Sequence, residues 1–145
     1  MPYPHIFIPV DGSAHALFAC ELAAKLAAEI PGEETIHLAY CVASIPNLIG
    51  GEKRDKLMKD TEAEAEAIFD PCEAVFKKTG HVCRRHLLYG EIGKTLARAA
   101  ADFGCSLIIM GTRGRNDLSS LVLGSVSHDV LQYAEVPVLL AKMKQ

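Results

Sequence analysis

Five short apolar runs, each separated from the next by a longer segment of helical periodicity, constrain this chain more than anything else in it. The runs are His5–Val10, Thr35–Val42, His81–Tyr89, Leu107–Met110 and Val136–Ala141. Ala14–Ile30, between the first two, is alanine-rich and helix-prone, with Ser13 or Asp11 placed to cap it and Pro31-Gly32 to close it. Leu57, Thr61, Ala65, Ile68, Cys72 and Val75 then recur at spacings of three or four, the stripe of one long helix. Pro71 is expected to kink that helix, because it removes an amide donor, and Gly80 to cap it. Ile92, Leu96, Ala99, Ala100 and Phe103 form the next stripe, ended by Gly104, and Val126–Ala134 reads as a further helix.

Strands that alternate with helices imply a parallel sheet covered on both faces by right-handed crossovers. The expected fold class is therefore α/β, a three-layer α/β/α sandwich with five parallel strands. Leu107–Met110, apolar on both faces, belongs in the sheet interior. With 145 residues, no repeat and no Pro/Gly/Ser linker, residues 1–145 read as a single domain. Such sheets bind ligands beyond the carboxyl ends of their strands, where the strand order reverses. The segments to read for chemistry are then Asp11-Gly12-Ser13, Cys41–Gly51, Gly90-Glu91 and Gly111 onward.

The last is the informative one: Met110-Gly111-Thr112-Arg113-Gly114-Arg115, a polar and apolar stretch through Leu123, then Gly124-Ser125-Val126-Ser127. Gly111 and Gly114 are expected to let the backbone turn tightly after a buried strand. Gly124 and Ser125 open the next helix, whose first amides have no internal partner and whose dipole favours a phosphate. Arg113 and Arg115 are placed to add charge-assisted contacts.

This spacing, Gly-x2-Gly-x9-Gly-Ser, resembles the ATP-binding signature of the universal stress proteins. The resemblance runs the length of the chain, through Pro9-Val10-Asp11-Gly12-Ser13, Gly90-Glu91-Ile92, Leu107–Gly111 and the ending Val136-Pro137-Val138-Leu139-Leu140. It implies a Rossmann-like sheet in the order 3-2-1-4-5, with the switch point between strands 1 and 4. It also implies ATP, or AMP or ADP, as ligand. Pro9, Val10 and Asp11 would then line the adenine and ribose side, with Cys41 and Val42 against the base. Met110 leads into Gly111–Arg115, which would wrap ribose and phosphates, and Gly124 precedes Ser125, Val126 and Ser127, which would bind phosphate oxygens. Asp11 either helps hold Mg²⁺ on those phosphates or caps the first helix. The chain departs from the family at Cys41, where an apolar β-branched residue is usual, and at Cys105-Ser106, where an acid commonly precedes the fourth strand. The resemblance further implies a homodimer joined along the apolar fifth strand, an edge that tends to pair with another chain.

Other chemistries are set aside on the residues. A formal net charge of −3 with interspersed signs argues against a nucleic-acid partner. The longest stretch free of charged residues, Thr35–Gly51, holds His37, Pro46, Asn47 and two glycines and falls short of a membrane span. The five cysteines are odd in number, show no C-x-x-C, and read as mostly buried thiols of a reduced, cytoplasmic protein. Gly90–Thr95 mimics the end of a P-loop but has Leu88 where the motif needs glycine, so it reads as a strand-to-helix turn with Lys94 solvated. The histidines lack zinc-ligand spacing, and His128 either reaches the nucleotide or faces solvent. A receiver-type phosphorylation switch lacks its phospho-accepting Asp after the third strand. The expected function is a nucleotide-dependent regulator in stress response, with at most slow ATP hydrolysis or autophosphorylation. The alternative is a non-catalytic dimeric scaffold in which nucleotide is incidental.

Overall fold

A computed structural model describes residues 4–30, 33–114 and 123–144. The chain runs β1 (His5–Pro9), α1 (Ala14–Glu29), β2 (Thr35–Val42), α2 (Gly51–Lys77), β3 (Val82–Tyr89), α3 (Ile92–Asp102), β4 (Leu107–Gly111), α4 (Ser125–Tyr133) and β5 (Val138–Ala141). The five strands form one parallel sheet in the order β3-β2-β1-β4-β5, the order and class expected.

Side chains alternate across the pleat and so divide the interior into two cores. Ile6 and Ile8 of β1, Ile36, Leu38 and Tyr40 of β2, and Ile109 of β4 meet α1 and α2 on one face. Phe7, Ala39, Cys41, Ile108 and Met110 point the other way and meet α3 and α4. The alanine-rich α1 suits its place, because Ala16, Ala19, Cys20, Ala23, Ala24 and Ala27 let it lie close on the sheet.

Element ends shift by a residue or two for local reasons. His81 leaves β3 because its amide bonds back to Phe76 O at 3.2 Å, closing α2, with Gly80 at φ +76° making the turn. Val136 and Pro137 precede β5, although Pro137 O already accepts from Ile108 N at 2.9 Å. The expected bend at Pro71 does not end its helix: α2 is unbroken to Lys77. Pro71 and Ala67, the residue whose carbonyl loses its partner, both lie on the exposed side of α2, where water substitutes. The glycines of the P-loop mimic have packing roles. A Cβ on Gly93 would run into the Cβ of Asp129, so that glycine lets α3 and α4 touch.

Candidate functional site

Strand β1 continues through α1 to β2 on one side of the sheet, and β4 through α4 to β5 on the other. The two connections diverge at the carboxyl ends of β1 and β4, and a cavity of about 350 Å³ lies there. Val10, Cys41, Val42, Leu96, Met110 and Val126 supply its apolar walls. Asp11, Ser13, Arg113, Gly114 and Ser125 bring polar groups to its edge.

The turn from β1 into α1 is held by its own side chains. Gly12 takes φ +84°, a conformation that favours glycine, and the Ser13 amide donates to Asp11 Oδ1 at 2.9 Å. Ser13 is the N-cap, its Oγ accepting from Ala16 N at 3.1 Å. Asp11 therefore braces the cap rather than serving as the cap itself.

On the other side, β4 ends at Gly111, whose expected role as a tight-turn residue gives way to a different one. Gly111 does not take a positive φ. A Cβ there would stand 2.9 Å from the backbone carbon and oxygen of His15, so glycine is needed for α1 to approach the strand end. Thr112, 8 % exposed, lies behind the cavity wall, and its carbonyl accepts from Gly124 N at 2.7 Å. That bond brings the two ends of the glycine loop together. Helix α4 then starts at Ser125 from an N-cap, Gly124, that offers no side-chain hydrogen bond. Amides at the start of α4 are thus left to other acceptors, with exposed Ser125 beside them. Ser127 is buried, and its Oγ donates to Gly111 O at 2.9 Å, so its hydroxyl proton ties α4 to β4.

Burial first pushes the Cys41 thiol up to about 11, while a hydrogen bond with Thr95 acts in the opposite sense. At neutral pH this thiol is protonated and serves as an apolar wall, with Sγ 3.9 Å from Val42 O. Of the residues expected here, Pro9, Val10, Asp11, Cys41, Val42, Met110, Gly111, Arg113, Gly114, Ser125, Val126 and Ser127 line the cavity. Thr112 and Gly124 shape the loop from behind, and Arg115 lies outside the described residues. His128 is exposed and 3.7 Å from Asp129 Oδ1, off the cavity wall. Sequence reasoning missed Ala16, Tyr40, Ile92 and Leu96 as wall residues, whereas Ser13 and Ala43 fall within strand-end segments already singled out. Ala16 and Leu96 carried a signal, since each sits one helical turn beyond a strand-end segment already singled out.

The chain's sequence matches the profile of the universal stress protein family over residues 2–142. The chain belongs to the universal stress protein family. A universal stress protein from Thermus aquaticus is 32 % identical over 139 residues, spanning 94 % of this chain and 97 % of that one. Among solved structures, that of hypothetical protein MJ0577 of Methanocaldococcus jannaschii has a TM-score of 0.83 at 22 % identity, covering 100 % of this chain and 99 % of the other. A universal stress protein family protein from Arabidopsis thaliana, solved with AMP bound, has a TM-score of 0.71 at 15 % identity and covers 97 % of this chain and 92 % of its own. At these identities the structures speak for the fold.

Proposed function

We propose that this universal stress protein binds an adenine nucleotide, ATP with AMP or ADP as alternative occupants, and acts as a nucleotide-dependent regulator. One observation carries the reading: a single cavity joins an apolar wall to the uncapped start of α4 and to Arg113. Its volume falls in the usual range for small-molecule sites. The base lies between Val10, Cys41, Val42 and Met110, with Pro9 and Asp11 toward the ribose. Gly111, Arg113 and Gly114 surround the ribose and phosphates, with Thr112 and Gly124 behind them, and Ser125, Val126 and Ser127 present their amides, and Ser125 its hydroxyl, to phosphate oxygens. The AMP-bound family member on the same fold supports this reading.

Among the described residues lining the cavity, Asp11 is the one carboxylate, and no histidine lines it. One carboxylate suits a Mg²⁺ held mainly by phosphate oxygens and water. With Asp11 assigned to the metal and no histidine among the described wall residues, hydrolysis or autophosphorylation is expected to be slow at most. The five thiols, none in a disulfide, fit a reducing compartment such as the cytoplasm. Strand β5 is a sheet edge carrying half-buried Val138, Leu139 and Leu140, which supports a homodimer joined along it.

The test is titration calorimetry with Mg²⁺·ATP on protein stripped of nucleotide, alongside Gly114→Trp. We expect micromolar binding by the natural chain and at least a tenfold loss in the variant, with an unchanged unfolding midpoint. Equal affinity in the two proteins would remove the glycine loop from the site. No binding by either would leave the dimeric scaffold as the function.

A further inference from the structure

Away from the cavity, on the same sheet face, three histidines stand in a row across three adjacent strands. His5 opens β1, His37 lies on β2 four residues before Cys41, and His86 lies on β3 opposite Ala39. His5 Nδ1 is 3.1 Å from His37 Nε2, and His37 Nδ1 is 3.0 Å from His86 Nε2. Both nitrogens of the central ring are thus engaged, and the residue is 5 % exposed. Phe103, which closes α3, stacks on His86 with centroids 4.1 Å apart and on His37 at 5.9 Å.

Counting hydrogens shows what such a row tolerates. Each of the two contacts needs one hydrogen between its nitrogens, and the two outer nitrogens each accept one more. Three neutral rings bring three hydrogens, and one added proton makes four, so both contacts survive. A second added proton forces two N–H groups to face each other, and a contact must break.

Helix α3 joins this row to the cavity. Its first turns supply Ile92 and Leu96 to the cavity wall, and its end supplies Phe103 to the rings. We propose that the His5–His37–His86 row is a proton-sensitive seat for α3, through which acid loosens the cavity wall at the helix's other end and weakens ligand binding. The ligand clause rests on the nucleotide reading above; the seat itself does not.

The groups that face His37 are His5 from β1, His86 and Arg84 from β3, and the uncharged Phe103 ring from α3. Asp102, next to Phe103 in sequence, is exposed. Cys105, packed in the same core, holds its proton because burial pushes its thiol up to about 11. Burial first, then the like charges of His86, His5 and Arg84, hold His37 down at about 4. Burial and then Arg84 lower His86 as well. Both folded-state values lie below the ordinary histidine value, so the unfolded chain binds more protons between about pH 4 and 6.5. Stability is therefore complete above about pH 6.5 and is lost as pH falls toward 4. For His37 alone, linkage predicts about a 30-fold fall in the folding constant between pH 8 and pH 5.

The experiment compares urea unfolding of the natural chain and His37→Phe from pH 8 to pH 5, with AMP titrations on both at pH 7.5 and 5.5. The natural chain should lose at least tenfold more of its folding constant than the variant, and its AMP affinity should fall several-fold more. Parallel stability profiles overturn the seat. A steep stability profile with AMP affinity that falls equally in both proteins overturns the coupling to the cavity. Absence of AMP binding at pH 7.5 overturns the nucleotide reading and the ligand clause with it, while the unfolding profiles still decide the seat. Should His37→Phe not fold, NMR titration of the natural chain decides: a His37 ring that stays neutral down to about pH 5 supports the row. Three rings titrating independently near the ordinary histidine value of about 6.5 overturn it.

Discussion

The two ends of the sheet face covered by α3 and α4 are built on opposite principles. Toward the carboxyl ends, the connections after β1 and β4 part, and the residues there surround empty space. Away from it, the imidazoles of three strands touch one another, and Phe103 stacks on two of them. Four of the six ring nitrogens at the closed end are engaged with one another, so the rings help specify the strand register. At the open end the start of α4 has no side-chain cap, and a half-exposed Arg113 reaches the cavity edge. The same pleat and register thus yield a polar cluster in mutual contact at one end and an open cavity at the other. What differs is whether topology brings elements together or apart.

The contrast fails most visibly if the closed end contributes little stability. Phe103→Ala removes the ring that stacks on His86 and His37 and leaves a void under the end of α3. A loss of about 3 kcal/mol is expected, toward the low end for a buried aromatic because Phe103 is partly exposed. Urea unfolding at pH 7.5 measures it. A loss below about 1 kcal/mol would mean that the rings merely fill space.

The asymmetry between the ends also governs how much was legible in the sequence. The alternation of apolar runs and helical stripes settled element type and order, because each run is long enough to show its period and each junction carries a Gly, Pro, Asp or Ser. The residues around the open end were legible too, since they come largely from loop segments that are short in sequence, Gly111–Gly114 and Gly124–Ser127. The histidine row was not, because His5, His37 and His86 are dispersed along the chain and meet only through the strand register. Gly111 lay between these cases. Its importance was visible, but its reason, the approach of the His15 backbone, depends on where α1 lies.

Gly111→Ala sharpens the comparison at the open end, where space rather than contact is the working element. The added methyl meets the His15 backbone carbon and oxygen at 2.9 Å, atoms that move only if α1 moves. Overpacking of this kind costs about 1–3 kcal/mol. A shift of α1 would carry Ser13 and Ala16, both on the cavity wall, so calorimetry should show weaker nucleotide binding as well. Unchanged stability would mean that α1 yields freely and that the strand end tolerates a side chain.

The smallest effect separates fold from site most cleanly. Ser13 caps α1 through its Oγ, which accepts from Ala16 N, while its amide donates to Asp11 Oδ1. Ser13→Ala removes the first bond and leaves the second intact, for an expected loss of about 1 kcal/mol. Ser13→Asp supplies a carboxylate oxygen to the same amides and should recover most of that stability. It also places a second negative charge beside Asp11 at the cavity edge. If the cavity takes a phosphorylated ligand, Ser13→Asp will be nearly as stable as the natural chain yet bind AMP more weakly than Ser13→Ala does. Equal AMP affinity in the two variants would show that the edge formed by Ser13 and Asp11 lies away from the phosphates, and the open end would then have to be read from the α4 side alone.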